Sequence, residues 1–258
     1  MTLITHTSEP EKLVAAAAKL CYSPSDLEGL MDQLTPEKSA EFVRMLSSLG
    51  HQSPMEHVSF TFGIQGVSRA LLAQITRHRI ASYSVQSQRY VSEHRFDYVV
   101  PPEIEAVPEA KAAFAAAMED AQRHYDRLAE LLRAKHLQAL LETGMEEKAA
   151  RRQADKQAME DARFVLPNAC DTKMIVTMNA RSLHNFFLHR CCNRAQWEIR
   201  ELADRMLALA YGAAPTLFAS AGPGCVSGSC PEGKMSCGRM GEVRAHYQEI
   251  KGRVSHGE

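Results

Sequence analysis

Arg77-His78-Arg79-Ile80-Ala81-Ser82-Tyr83-Ser84-Val85-Gln86-Ser87-Gln88-Arg89 is the most informative stretch of the chain. Two arginines flank a histidine, seven residues lead to Ser87, and Arg89 follows two further on. Guanidinium forks pair bidentately with phosphate oxygens, so a ligand bearing several of them suits this segment. A bare Arg-His-Arg would read as a cationic, solvated helix end favoured by the macrodipole. The hydroxyl-rich run that follows offers many donors and little core-forming surface, which points to a binding loop. No Asp-His relay stands near Ser87, so its hydroxyl reads as a phosphate ligand and not as a nucleophile.

Residues 58–64 alternate with β-branched and aromatic side chains and read as a strand; residues 67–76 read as the helix that delivers the chain to Arg77. Residues 9–21 are alanine-rich and helical. Thr35-Pro36 is an N-cap and first-turn signal for a helix with Phe42, Met45 and Leu46 as its apolar stripe. Residues 108–164 are helical and polar with Gly144 as a break, fitting a solvated helical hairpin or an arm against a partner subunit. Residues 172–179 read as a strand, residues 182 onward as a helix. Asn193-Arg194-Ala195-Gln196 matches a capping box, so a second helix is expected to restart there and run to about residue 211. Strands interspersed with longer helices give a mixed α/β (α+β) class.

The 258 residues are 45% hydrophobic and 24% charged with a formal net charge of −1, so the chain can bury a substantial core. No global field draws it to nucleic acid or an anionic membrane, and any anion site must be a local cluster. No run approaches the ~20 apolar residues that span a bilayer. Met1-Thr2-Leu3-Ile4-Thr5-His6 lacks the regions of a signal peptide, so a cytoplasmic location is expected. In a reducing compartment the seven cysteines are free thiols or metal ligands before they are disulfides.

Three further blocks stand in order along the chain. His51-Gln52-Ser53-Pro54-Met55-Glu56-His57 alone would be a turn in which Ser53-Pro54 and Glu56 cap local structure. Arg163 precedes Phe164-Val165-Leu166-Pro167. Asn179-Ala180-Arg181-Ser182-Leu183-His184-Asn185-Phe186-Phe187-Leu188-His189-Arg190, continued by Arg194-Ala195-Gln196-Trp197-Glu198, is an amphipathic helix with Leu183, Phe186 and Phe187 in the core. Arg181 and Asn185 share a face of it.

Together with the Arg-His-Arg stretch these blocks resemble the flavin-dependent thymidylate synthases over roughly residues 10–220. That family methylates dUMP with methylenetetrahydrofolate, NADPH and FAD. The resemblance implies a central, mostly antiparallel sheet with flanking helices and a long helical section. It implies a domain over residues 1–220, with residues 221–258 as a Cys/Gly-rich C-terminal tail. Ser53, Arg77, His78, Arg79, Asn179, Arg181 and Asn185 would contact FAD. Gln74, Arg77, Ser87, Gln88, Arg89, Arg163 and Arg190 would bind dUMP, and His51 would lie in the folate and flavin region. Arg190 would be the catalytic group, its guanidinium stabilising charge over N3 and O4 of uracil. The resemblance also implies hydride delivery from reduced FAD, no enzyme thiolate on the ring, and a homotetramer with shared active sites. Val85 stands where the family often has a glutamate, and Arg194 where some relatives have a histidine.

Outside the signature, Cys225, Cys230 and Cys237 sit among glycines and prolines, and Cys192 or Cys191 could supply a fourth thiolate for tetrahedral zinc; the other reading is a loop of unligated thiols. Two rival functions remain open. One is a thiol-dependent pyrimidine methyltransferase using Cys191 or Cys192, and the other is a non-catalytic nucleotide-binding protein.

Overall fold

The computed structural model describes residues 1–88 and 96–255. The chain opens with β1 (Thr2–His6), α1 (Pro10–Leu20), α2 (Leu27–Asp32), α3 (Pro36–Ser48), β2 (Ser59–Ser68), α4 (Arg69–Ile75) and β3 (Ser82–Val85). It continues through α5 (Pro102–Glu105), α6 (Pro108–Glu142), α7 (Glu147–Ala162), β4 (Asp171–Asn179), α8 (Ala180–Arg190), α9 (Trp197–Ala213) and α10 (Met240–Ser255). The strands form one antiparallel sheet in the order β1-β2-β4-β3, as the mixed class with an antiparallel sheet requires. Two compact units are distinguished. The first holds Met1–Ile64, Gln74–Ser84 and the chain from Ile175 on; the second holds Gln65–Ala73 and Val85–Met174.

In the first unit, β2 buries Phe60, Phe62 and Ile64 and leaves the residues between them partly exposed, the alternation expected from the sequence. Strand β1 pairs with it antiparallel, with Thr2 opposite Gly63 and His6 opposite Phe60. A Cβ on Gly63 would meet Ile4 Cδ1 at 3.2 Å and Thr2 Oγ1 at 3.3 Å, so the bare backbone lets β1 side chains fold over it. Thr35 caps α3 as read, its hydroxyl accepting from the Lys38 amide at 3.3 Å. Phe60, Phe186, Phe187 and Phe218, all fully buried, meet edge to face with centroids 5.2–6.0 Å apart.

Two boundaries differ from expectation for one reason, a side-chain cap. Strand β2 runs to Ser68 and α4 starts at Arg69, because the Ser68 hydroxyl accepts from the Leu71 amide at 3.0 Å. Helix α9 starts at Trp197 and not at residue 193. Gln196 Oε1 accepts from the amides of Glu198 and Ile199 at 3.0 and 3.2 Å, while Asn193 stays in a turn closed by Ala195 N–H to the Cys192 carbonyl. The C-terminal helix α10 packs on α9. The Tyr247 hydroxyl lies 2.8 Å from the Cys191 carbonyl and 2.5 Å from Asp204 Oδ1, and Lys251 Nζ donates to the carbonyls of Ala219 and Ala221.

The second unit contains the helical hairpin foreseen over residues 108–164. Helix α6 is 35 residues long, roughly 50 Å at 1.5 Å per residue, and the chain turns at Gly144, whose φ of 79° favours glycine. Helix α7 buries Ala150, Ala154, Ala158 and Ala162, one every fourth residue, so a stripe of methyl groups lets α6 approach closely. Tyr125 and Ala129 of α6 pack with Ala162, and an Arg133–Asp155 ion pair ties the hairpin further up. Overpacking this stripe costs about 1–3 kcal/mol. Ala158→Leu should therefore lower the urea midpoint by a corresponding amount while Ala149→Leu, on the exposed face, leaves it near wild type.

Candidate active site

A cavity of about 670 Å³ in the first unit is lined by Arg77, Arg79, Arg181 and Arg190, together with His78, His189 and Asn185. Two elements supply these cations. After α4 the chain stays coiled, with Arg77 N–H on the Gln74 carbonyl at 3.3 Å and His78 N–H on the Ile75 carbonyl at 3.0 Å. Tyr83 on β3 holds this turn from below: its hydroxyl lies 2.7 Å from the Ile75 carbonyl and 3.0 Å from that of His78, donating to one or the other. Burial pushes the Tyr83 phenol up to about 12, so it remains a donor at any working pH.

Helix α8 supplies the opposite wall. Asn179 caps it, Oδ1 accepting from the Ser182 amide at 2.8 Å, and Arg181, Asn185 and His189 follow at intervals of four on the face that lines the cavity. The N-terminus of the helix therefore opens into the cavity, where its partial positive charge adds to that of the arginines. Arg190, at the other end, donates from Nε to His78 Nε2 at 3.0 Å and reaches the Gln74 carbonyl at 3.5 Å. The His78 ring meets Phe186 edge-on with centroids 5.0 Å apart. Burial, then Arg190, then His189 push the His78 pKa down to about 4. Burial and, after it, neighbouring Arg77 lower that of Arg190. Glu56 is the carboxylate of the lining and forms an ion pair with Arg181.

Not every expected site residue is gathered here. His51 and Ser53 line a second cavity of about 640 Å³, walled by α1, α2 and α3, whereas Gln52 and Glu56 of the same turn face the arginines. Gln74 contributes its backbone carbonyl to Arg190. Ser87, Gln88 and Arg163 belong to the second unit, where Arg163 Nε donates to the Glu160 carbonyl at 3.0 Å; Arg89 lies outside the described residues.

Residues 2–216 match the family described as thymidylate synthase complementing protein. A flavin-dependent thymidylate synthase of Clostridium tetani is 54% identical over 245 residues, 95% of each chain. The chain belongs to this family. Relatives of the same name from Geobacter sulfurreducens (47% identical, covering 97% of this chain and 98% of the relative) and Sulfurisphaera tokodaii (36%, covering 87% and 78%) extend the likeness from bacteria to an archaeon.

For a member of the flavin-dependent thymidylate synthase family, the donor set is the relevant test of fit to a flavin dinucleotide. Four guanidiniums and a helix N-terminus around one cavity suit a diphosphate, and the chemistry matches. The zinc expectation does not hold. Among the described residues no three His, Cys, Asp or Glu side chains are placed to hold a metal. Polar anchors fasten the loop of Cys225, Cys230 and Cys237. Arg244 donates to the carbonyls of Cys225 and Gly228 at 2.8 Å, Arg194 to Glu232 at 2.5 Å, and Asn193 reaches Cys237 Sγ at 3.8 Å; burial, and after it the neighbouring Cys230, Cys192 and Cys237, raise the Cys225 pKa. Nor does either thiol beside Arg190 line the cavity; Cys191 is 1% exposed, and burial followed by Asp204 raises its pKa well above the ordinary value.

Reading the sequence missed Tyr83, Glu56 and His189 as parts of this site. The four-residue spacing from Arg181 through Asn185 carried the signal for His189; Tyr83 looked like one more hydroxyl in a polar run. The burial of Cys191 has a direct consequence for labelling. Iodoacetamide on the native protein should modify exposed Cys21 and Cys237 first and spare Cys191 until the chain is denatured, as peptide mass spectrometry would read out.

Proposed function

We propose that the chain catalyses the reductive methylation of dUMP to dTMP, with 5,10-methylenetetrahydrofolate as carbon donor and NADPH-reduced FAD as hydride source. The convergence of Arg77, Arg79, Arg181 and Arg190 on one cavity carries this reading, in a chain whose relatives bear that activity in their names. FAD, when bound and reduced, supplies the hydride that completes the methyl group. Arg77, His78, Arg79, Asn179, Arg181, Asn185 and Ser53 are the residues to hold it. Gln74, Arg77, Ser87, Gln88, Arg89 and Arg163 are those to grip dUMP, with His51 toward the folate. Arg190 lies against the pyrimidine, where a guanidinium withdrawn from water stabilises charge developing on N3 and O4 more strongly than it would in solvent.

A homotetramer with shared sites is part of the proposal. Its support is the large apolar side chains beside the site residues: Ile80, next to Arg79, is 74% exposed and Phe164, next to Arg163, is 82% exposed. The reading places the enzyme in the cytoplasm, acting on small molecules and on neither nucleic acid nor membrane; no described helix is long and apolar enough to cross a bilayer.

After reconstitution with FAD and desalting, the protein should keep a flavin absorption band and form dTMP from dUMP. Arg181→Met should weaken FAD binding about 10–100-fold, because a hydrogen bond to a charged group contributes about 1.5–3 kcal/mol. A featureless spectrum from folded tetramer would turn the reading to the non-catalytic nucleotide-binding protein.

A further inference from the structure

We propose that His78 is the positioning residue of Arg190: its imidazole Nε2 accepts the guanidinium Nε hydrogen and so fixes which way the two terminal nitrogens face. The inference rests on and deepens the reading of Arg190 as the pyrimidine-facing group, and it gives the His78 side chain a task at Nε2 beside its place in the flavin site.

Four observations carry it. The Nε to Nε2 separation is 3.0 Å, while the terminal nitrogen on the Gln74 carbonyl is at 3.5 Å, so the histidine contact is the shorter tie. A guanidinium only donates, so Nε2 must present a lone pair and the ring hydrogen must sit on Nδ1. The ring is braced in turn, edge-on against Phe186, and its backbone carbonyl lies within reach of the Tyr83 hydroxyl. The fourth is the electrostatic setting of the imidazole. Arg190 and His189 face it from α8, and Arg77 and Arg79 flank it in its own segment. Tyr83 approaches from β3 as a neutral phenol, and the Glu56 carboxylate across the cavity is engaged by Arg181. A mostly cationic, half-buried setting keeps the imidazole unprotonated down to about pH 4, hence an acceptor throughout the neutral range. Protonated, it would turn one cation against another and release Arg190.

The reason to spend a histidine on this is geometric. A free arginine side chain rotates about its last bonds and points its planar fork many ways. An acceptor at Nε, with the Gln74 carbonyl at one terminal nitrogen, removes that freedom and leaves the other terminal nitrogen for substrate. Gln can place an amide oxygen near the position of Nε2, whereas Phe keeps the ring and deletes the acceptor.

The test compares His78→Gln and His78→Phe in the FAD-loaded enzyme, with circular dichroism verifying the fold. His78→Phe should lose tenfold or more in kcat with flavin retained and KM for dUMP changed less, and His78→Gln should recover most of that loss. Wild-type turnover by His78→Phe, equal damage in both variants, or loss of flavin from both would overturn the proposal, the last by returning the imidazole to the flavin. An NMR titration decides the brace independently of activity. The His78 ring should titrate near pH 4 in the wild type and move up by about one unit or more in Arg190→Met; an unchanged value would refute the contact. A wild-type chain without dUMP turnover would defeat the functional reading alone, and the titration would still decide the role of His78.

Discussion

Holding four guanidiniums around one cavity is the electrostatic problem on which the rest of the first unit is built. Like charges at close range repel; Arg77, Arg79 and Arg181 are exposed to screening solvent, and Arg190 is the partly buried member of the four. The fold meets this with neutral or acidic partners set among the cations. His78 is kept uncharged beside Arg190, Glu56 lies against Arg181, and the Gln74 carbonyl at the end of α4 accepts from Arg190. The residual positive field is then available to an anionic ligand, whose binding relieves the repulsion that the empty arrangement retains.

That arrangement needs a stiff support, which the aromatic cluster provides. Phe186 and Phe187 on α8 project away from the cavity face and lock against Phe218 and Phe60, so the helix carrying Arg181, Asn185, His189 and Arg190 cannot roll. Phe186 does two things at once: it belongs to the core and it backs the His78 ring. A change at the core position would therefore be felt at the imidazole, although nothing polar had been touched.

Much of this was legible in the chain. The alternation of Phe60, Phe62 and Ile64 marks β2, Thr35-Pro36 marks α3, and the Arg-His-Arg and Asn-Ala-Arg blocks name the cations of the site. Strand β1 was not legible, because it is a sheet edge of partly exposed Thr-Leu-Ile-Thr-His with no clean alternation. Strand β3 was hidden in a run of hydroxyls; its pairing is decided by β4, a partner far away in sequence. The division of residues 51–57 between two cavities, with His51, Ser53, Pro54 and His57 on one side and Gln52 and Glu56 on the other, follows no single period along the sequence. The tail cysteines could be counted, but the contacts that fasten their loop, from Arg194 to Glu232 and from Arg244 to the carbonyls of Cys225 and Gly228, are announced by nothing in the local spacing.

Helix α8 ends at Arg190, and the next carbonyl, that of Cys191, is among the acceptors a helix leaves unanswered at its C-terminus. A hydroxyl from Tyr247 reaches it, on a helix that begins beyond the 2–216 stretch shared with the family. The appendage thus works as a keystone for the end of the helix from which Arg190 projects. The seating of the arginine is tied to the C-terminal helix as much as to the stretch that matches the family.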